Sequence, residues 1–192
     1  MVIMSRQPQH GEGHLSDHPQ IPSYRVIIQV FDEFLDLVSH SSVEQFSRAA
    51  LKVGQAPQGA SVSVAVTDDE AVRKLNARHR GLDEYTDVLS FSYTHQGHFY
   101  GNLHNLPDQN SEVEFVAPGE EDSLGEVIIS YPQAERQAIE AGHSVNQELS
   151  TLVTHGTLHL LGHDHEESKD RTEMEHLEKE VTKIAGVMRT TP

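Results

Sequence analysis

The stretch HGTLHLLGHDH, residues 155–165, holds His155, His159, His163, Asp164 and His165, all able to bind a metal. His155 and His159 are four positions apart. On a helix that spacing sets two imidazoles about 40° apart around the axis and one turn along it, so both can reach one ion. His163 continues the series, but an unbroken helix would carry it ~12 Å along the axis from His155. Zn–N bonds are only about 2.0–2.1 Å long, so one ion does not span that distance. Gly162 is a natural helix stop, because glycine takes the left-handed conformation cheaply. Beyond it the chain can turn back and return His165 toward the ion. This spacing favours His155, His159 and His165 as ligands, with His163 more exposed and Asp164 orienting a ligand or a water. The chain has no cysteine, which excludes both disulfides and a thiolate site. Three neutral imidazoles without a fourth protein ligand nearby fit a catalytic zinc with an open position. His10, His14 and His18 read as ordinary solvated histidines.

Elements must position these groups. The apolar stripe Val145, Leu149, Leu152, Val153, Gly156 and Leu160 predicts a helix, opened by a Ser144/Gln147 capping box and running to about Leu161, with the histidines on its flank. Strands are expected at Tyr24–Val30, Ala60–Val66, Thr86–Tyr93 and Leu124–Ser130. Further helices are expected at Ser42–Val53, from the Asp68 cap to about His79, at Tyr131–Ala141, and from about Glu167 to Ala185, the last one strongly charged and mostly solvated. The pattern reads as an α/β (α+β) fold, a single domain with a small mixed sheet packed with helices, the zinc-site helix carrying HxxxHxxxxxH. Residues 1–22, rich in Pro, Gly, His and Ser, read as a flexible tail, and about 95–122 as a mobile acidic insertion. No stretch approaches the roughly 20 apolar residues of a membrane helix, and the polar N-terminus does not read as a secretory signal. The expectation is a cytoplasmic protein with no membrane partner.

The spacing H-x-x-x-H-x-x-G-x-x-H is shared with metzincin peptidases, which place the general-base glutamate directly after the first histidine. Here that position is Gly156, so a metallopeptidase lacks its base. Instead, HGTLHLLGHDHEE, LNARHRGLDEYTDVLSF (residues 75–91) and LGEVIIS, in that spacing, resemble the signatures of the YbeY endoribonuclease family. The likeness spans roughly residues 24–185, with His163 where the family often has Tyr, Tyr85 where it has Pro, and Glu126 where it has Asp. It implies a zinc-dependent, single-strand-specific endoribonuclease, residues 23–188 forming that domain. The expected work is ribosomal RNA processing, at the 3′ end of the small-subunit RNA, and ribosome quality control. The implied partners are single-stranded ribosomal RNA and the ribosome or its small subunit. By motif position the resemblance also assigns the zinc ion to His155, His159 and His165, and the important arginine to Arg80.

The chemistry is consistent with that implication. Zinc lowers the pKa of bound water to about 7 and polarises a phosphoryl oxygen. Charge developing on phosphate needs a cation, and the Arg80 guanidinium matches it in a bidentate way. Arg80 and His155 are thus the catalytic candidates. Arg73, Lys74, Arg78 and Arg80 fall within eight positions, a local RNA-facing patch in a chain whose net charge of −16 opposes nonspecific nucleic-acid binding. The competing reading for Arg73 and Lys74 is a solvated helix face paired with Asp69 or Glu70. Asp87 could hold a zinc histidine from behind or cap a turn, and Glu126 could line the cleft or cap a strand. The leading alternative function is a ribosome-biogenesis factor with a mainly structural metal; no residue stands out as the leaving-group acid.

Overall fold

The computed structural model describes residues 23–94, 122–165 and 168–188. The expected tail, 1–22, and nearly all of the expected insertion lie outside these residues. Four strands form one mixed sheet in the order β1 (Arg25–Val30), β2 (Ser61–Thr67), β4 (Ser123–Ser130), β3 (Val88–Ser92). The pairs β1–β2 and β2–β4 are parallel, and β3 runs antiparallel to β4. The central strands β2 and β4 are buried on both faces, as parallel strands with helices on either side must be.

Side-chain caps start the helices. Ser39 caps α1 (His40–Val53) by accepting from the Ser42 N–H, which moves the helix start two residues ahead of the expected Ser42. Asp68 caps α2 (Asp69–Arg80), Ser130 caps α3 (Tyr131–Ala141), and Ser144 caps α4 (Val145–Leu160). The last helix, α5, spans Ser168–Met188. Strand β3 is shorter than the expected Thr86–Tyr93: at its start the Asp87 carboxylate takes the Val88 N–H at 2.8 Å, while the Asp87 carbonyl still accepts from the Ser130 N–H of β4. A 3-10 turn at Asp32–Phe34, absent from the expectations, buries Phe34 against Tyr131 with ring centroids 4.9 Å apart.

Successive residues of β4 point to opposite faces. Val127 faces α4, where the space above Gly156 is already filled: a Cβ on Gly156 would stand 2.5 Å from a Val127 methyl. Ile128 instead joins Val72 of α2 with Ala65, Leu89 and Phe91. So α4 and α2 cover opposite faces of the sheet. The main core joins the α4 face of the sheet to α1, α3 and α4. Helix α5 is not simply solvated. Val181 and Ala185 are fully buried against Ala49 and Ala50 of α1, which fixes α5 beside the site helix.

Candidate metal centre

Three features set the height and rotation of α4. Gly156 allows the helix axis to approach β4 closely. Ser90 donates to the Gly156 carbonyl and Ser92 to the Leu160 carbonyl, each at 3.3 Å, so two serines of the TDVLSFS segment anchor the helix. At its C-terminus Gly162 takes φ 88°. The Gly162 N–H bonds the His159 carbonyl and the His163 N–H bonds the Leu158 carbonyl, the paired arrangement of a Schellman stop. The chain then reverses, as the glycine predicts.

The reversal brings His155, His159 and His165 together: one ring nitrogen from each lies within 4.8 Å of the others. The Nε2 atoms of His155 and His159 are 3.0 Å apart. Two ligands on a tetrahedral ion with bonds of 2.0–2.1 Å stand about 3.3 Å apart, so this pair is spaced for a shared ion. The His155 Nδ1–H donates to Glu178 Oε1 at 2.9 Å, which leaves its Nε2 as the lone-pair face turned toward His159. The donor set, three imidazoles and no thiolate, is one that first-row metals such as zinc, copper, iron or nickel accept. His159 is 4% exposed, deeper than the helix flank on which the sequence placed it. Burial, followed by its neighbours His155 and His165, holds its pKa down to about 4, while Asp164 and a hydrogen bond to the His163 backbone oppose that shift. A neutral imidazole is the form a metal requires.

The remaining sequence candidates are placed as follows. His163 stays outside the cluster. Asp164 accepts from the backbone N–H of His165 at 2.6 Å, so it shapes the turn that presents this histidine. The Asp87 carboxylate bonds the Val88 N–H, the Thr86 hydroxyl and Gln137 of α3, and none of these partners is a histidine. The part foreseen for Asp87 behind a zinc histidine falls to Glu178. Glu178 went unnoticed in the sequence, although it stands four residues after the buried Met174 and three before the buried Val181. A carboxylate in a buried stripe was the available signal. Glu126 sits in the middle of β4, paired in register with Phe91, on the α2 face; it neither caps the strand nor faces α4. Burial raises its carboxyl pKa, and a hydrogen bond from Tyr93 opposes this.

Arg80 is the last residue of α2, half-buried, and Lys74 and Arg78 are exposed on the same helix. Arg73 is engaged: it makes two hydrogen bonds to Asp83, at 2.8 and 3.2 Å, lies 3.6 Å from Glu70 and stacks over the Tyr85 ring. Beside the histidines a cleft of about 560 Å³ opens between α4, α5 and the start of β3, lined by Asp87, Glu148, His155, His165, Arg171 and Glu178 among others. Glu148 faces His143 at 3.0 Å, and burial raises its carboxyl pKa. The α2 cations do not line this cleft.

Comparison with known proteins supplies a family. The sequence profile described as endoribonuclease YbeY matches residues 32–186. The endoribonuclease YbeY of Dehalococcoides mccartyi is 45% identical over 138 residues, covering 70% of this chain and 80% of that protein. That of Geobacillus thermodenitrificans is 38% identical over 148 residues, covering 77% and 87%. The solution structure of a Thermotoga maritima protein superposes with a TM-score of 0.52 at 25% identity, over 88% of this chain and 94% of that one.

Proposed function

The chain belongs to the endoribonuclease YbeY family, and on that premise we propose that it is a zinc-dependent, single-strand-specific endoribonuclease of ribosomal RNA processing, acting on the 3′ end of the small-subunit RNA and in ribosome quality control. The observation that carries the metal half of this reading is the convergence of His155, His159 and His165 on one point, with Glu178 behind His155. Those three histidines would hold the ion. A bound zinc supplies an activated water at neutral pH and a Lewis acid for a phosphoryl oxygen.

The chain's own residues do the rest. Glu178 orients the His155 ring, and Asp164 fixes the turn that presents His165. Burial keeps His159 neutral. Arg80 is the proposed cation for the reacting phosphate on the strength of its motif position; it ends α2 outside the lining of the cleft, seven residues before Asp87, which does line it. On α2, Lys74 and Arg78 offer backbone contacts outside the cleft, and Arg73 joins them only by giving up Asp83. Gly156 leaves no carboxylate where a metzincin holds its base, and the close packing on Val127 leaves no room for one. No helix of the described residues is long and apolar enough to cross a membrane.

The test is cleavage of a small-subunit precursor RNA by metal-stripped, zinc-restored and His159→Ala protein purified identically. Cleavage that follows zinc and disappears in a folded His159→Ala chain is the expected result. Equal cleavage by all three would reveal a contaminating nuclease, and no cleavage by any would leave a ribosome-binding factor with a structural metal.

A further inference from the structure

The cleft beside the histidines has the wrong sign for its substrate. Its walls carry four carboxylates, Asp87, Glu148, Glu175 and Glu178, and, beside the candidate ligands His155 and His165, one guanidinium, Arg171. Like charges turned toward an approaching phosphate strand repel it, and the chain as a whole, at −16, supplies no compensating field. Lys74 and Arg78 lie along the helix on the opposite face of the sheet from α4, and Arg80, at the C-terminal end of that helix, is not among the residues that line the cleft.

Arg171 is held toward the cleft by its helix. Arg171, Met174 and Glu178 follow one another at spacings of three and four and so share one face of α5. Met174 is buried at 2% exposure, and Glu178 is tied to His155, so the face they share is turned to the site. The carboxylates around Arg171 have other partners: Glu178 pairs with His155 at 2.9 Å, Glu148 with His143 at 3.0 Å, and Glu175 with Lys179 at 3.9 Å. Arg171 itself makes no ion pair with any described residue. Nor does its position serve the helix. It is the fourth residue of α5, where the macrodipole favours acidic side chains and disfavours a cation. An exposed guanidinium, paired with no carboxylate among the described residues and aimed into an acidic cleft, answers a ligand rather than the fold.

We infer that Arg171 is a phosphate-binding residue, gripping a backbone phosphate of the RNA strand that flanks the scissile one in the α4–α5 cleft. The inference rests on the endoribonuclease reading above. A bidentate guanidinium–phosphate contact in that cleft sets how the strand lies across the histidines without touching the reacting atoms.

The test uses the full-length, zinc-loaded chain as wild type, Arg171→Ala, Arg171→Lys and, as a charge control outside the cleft, Lys169→Ala. Binding of a labelled, fully 2′-O-methylated single-stranded RNA is read by fluorescence anisotropy between 50 and 200 mM salt, and cleavage of the unmodified RNA gives KM and kcat. Arg171→Ala is expected to raise Kd and KM about tenfold, to leave kcat within about twofold, and to flatten the slope of log Kd against log salt by about 0.7, the share of one phosphate on a single strand. Arg171→Lys should recover the salt slope but only part of the affinity. Unchanged Kd and slope in Arg171→Ala, an equal loss in Lys169→Ala, or a fall in kcat at constant KM would each overturn the inference while wild type still cleaves. A wild-type chain that binds RNA but never cleaves it would instead remove the endoribonuclease reading, leaving the Arg171 contact to be judged on binding alone.

Discussion

Glu178 is the residue on which the chemistry of His155 turns. Its carboxylate, 2.9 Å from Nδ1, selects the tautomer that leaves Nε2 free for a metal. Glu178→Ala should therefore weaken zinc binding by about 10–100-fold with the fold intact, and Glu178→Gln, which can still accept the hydrogen bond, should lose less. Competition against a chromophoric chelator measures both, and equal affinity in all three proteins would show that His155 needs no partner. His159 makes a second prediction, about pH. Its pKa in the folded chain, about 4, lies below the usual value of 6.5. As pH falls the unfolded chain therefore takes up this proton first. The stability of the metal-free protein that comes from keeping His159 neutral is complete above pH 6.5 and is lost as pH falls toward 4, on the order of 3 kcal/mol in all. Denaturant midpoints of the metal-stripped chain at pH 7 and pH 5 check it, and a His159→Gln chain should show a shallower loss across that window.

At the scale of elements, the histidines are placed by two glycines acting in different ways. Gly156 sets the distance between α4 and the sheet, and a methyl there would meet a Val127 methyl 2.5 Å away. Gly156→Ala should cost about 1–3 kcal/mol of stability by overpacking. Gly162 sets the direction in which the chain leaves α4, at φ 88°. Gly162→Ala should cost about 1–2 kcal/mol for the left-handed backbone and, by shifting His165, weaken zinc binding out of proportion to that stability loss. Parallel denaturation and zinc titration of the two variants separate the roles, and equal zinc affinity in Gly162→Ala would mean that another group completes the site. This division explains what the sequence makes legible. A motif that is local in the chain, such as His155, His159, Gly162 and His165, carries its own geometry through helical spacing and a stop signal, and the strands and capped helices follow from alternation and from Asp68 and Ser144. Contacts between elements do not show in that way. Asp87 looks like a partner for a histidine because it belongs to a recognisable segment, yet its bonds serve β3 and α3. Glu178 holds the histidine from a helix whose dense charge reads as solvent-facing, and only Met174 and Val181 on either side of it mark the buried face.

For the whole molecule, an ion held by the three histidines could either hold the fold together or work within it, and the packing decides between the two. The core that joins the sheet to α1, α3 and α4 is a continuous cluster of aliphatic and aromatic side chains. The cluster under α2 is likewise apolar. The histidine cluster lies at the C-terminal end of α4, which Gly156, Ser90 and Ser92 already fix to the sheet. Helix α5, which brings Glu178, is fixed by Val181 and Ala185 against α1. Nothing in this arrangement needs an ion to form. An ion held by the native state alone stabilises it by mass action, by about 2.7 kcal/mol at a hundredfold excess over Kd. Chelation should therefore leave the far-ultraviolet circular dichroism and cooperative unfolding intact and lower Tm by several degrees. It should abolish RNA cleavage, and zinc should restore both. Loss of secondary structure on chelation would point the other way. The chain would then behave like a small metal-folded domain, and the histidines would be structural ligands in a ribosome-associated factor rather than the centre of an endoribonuclease.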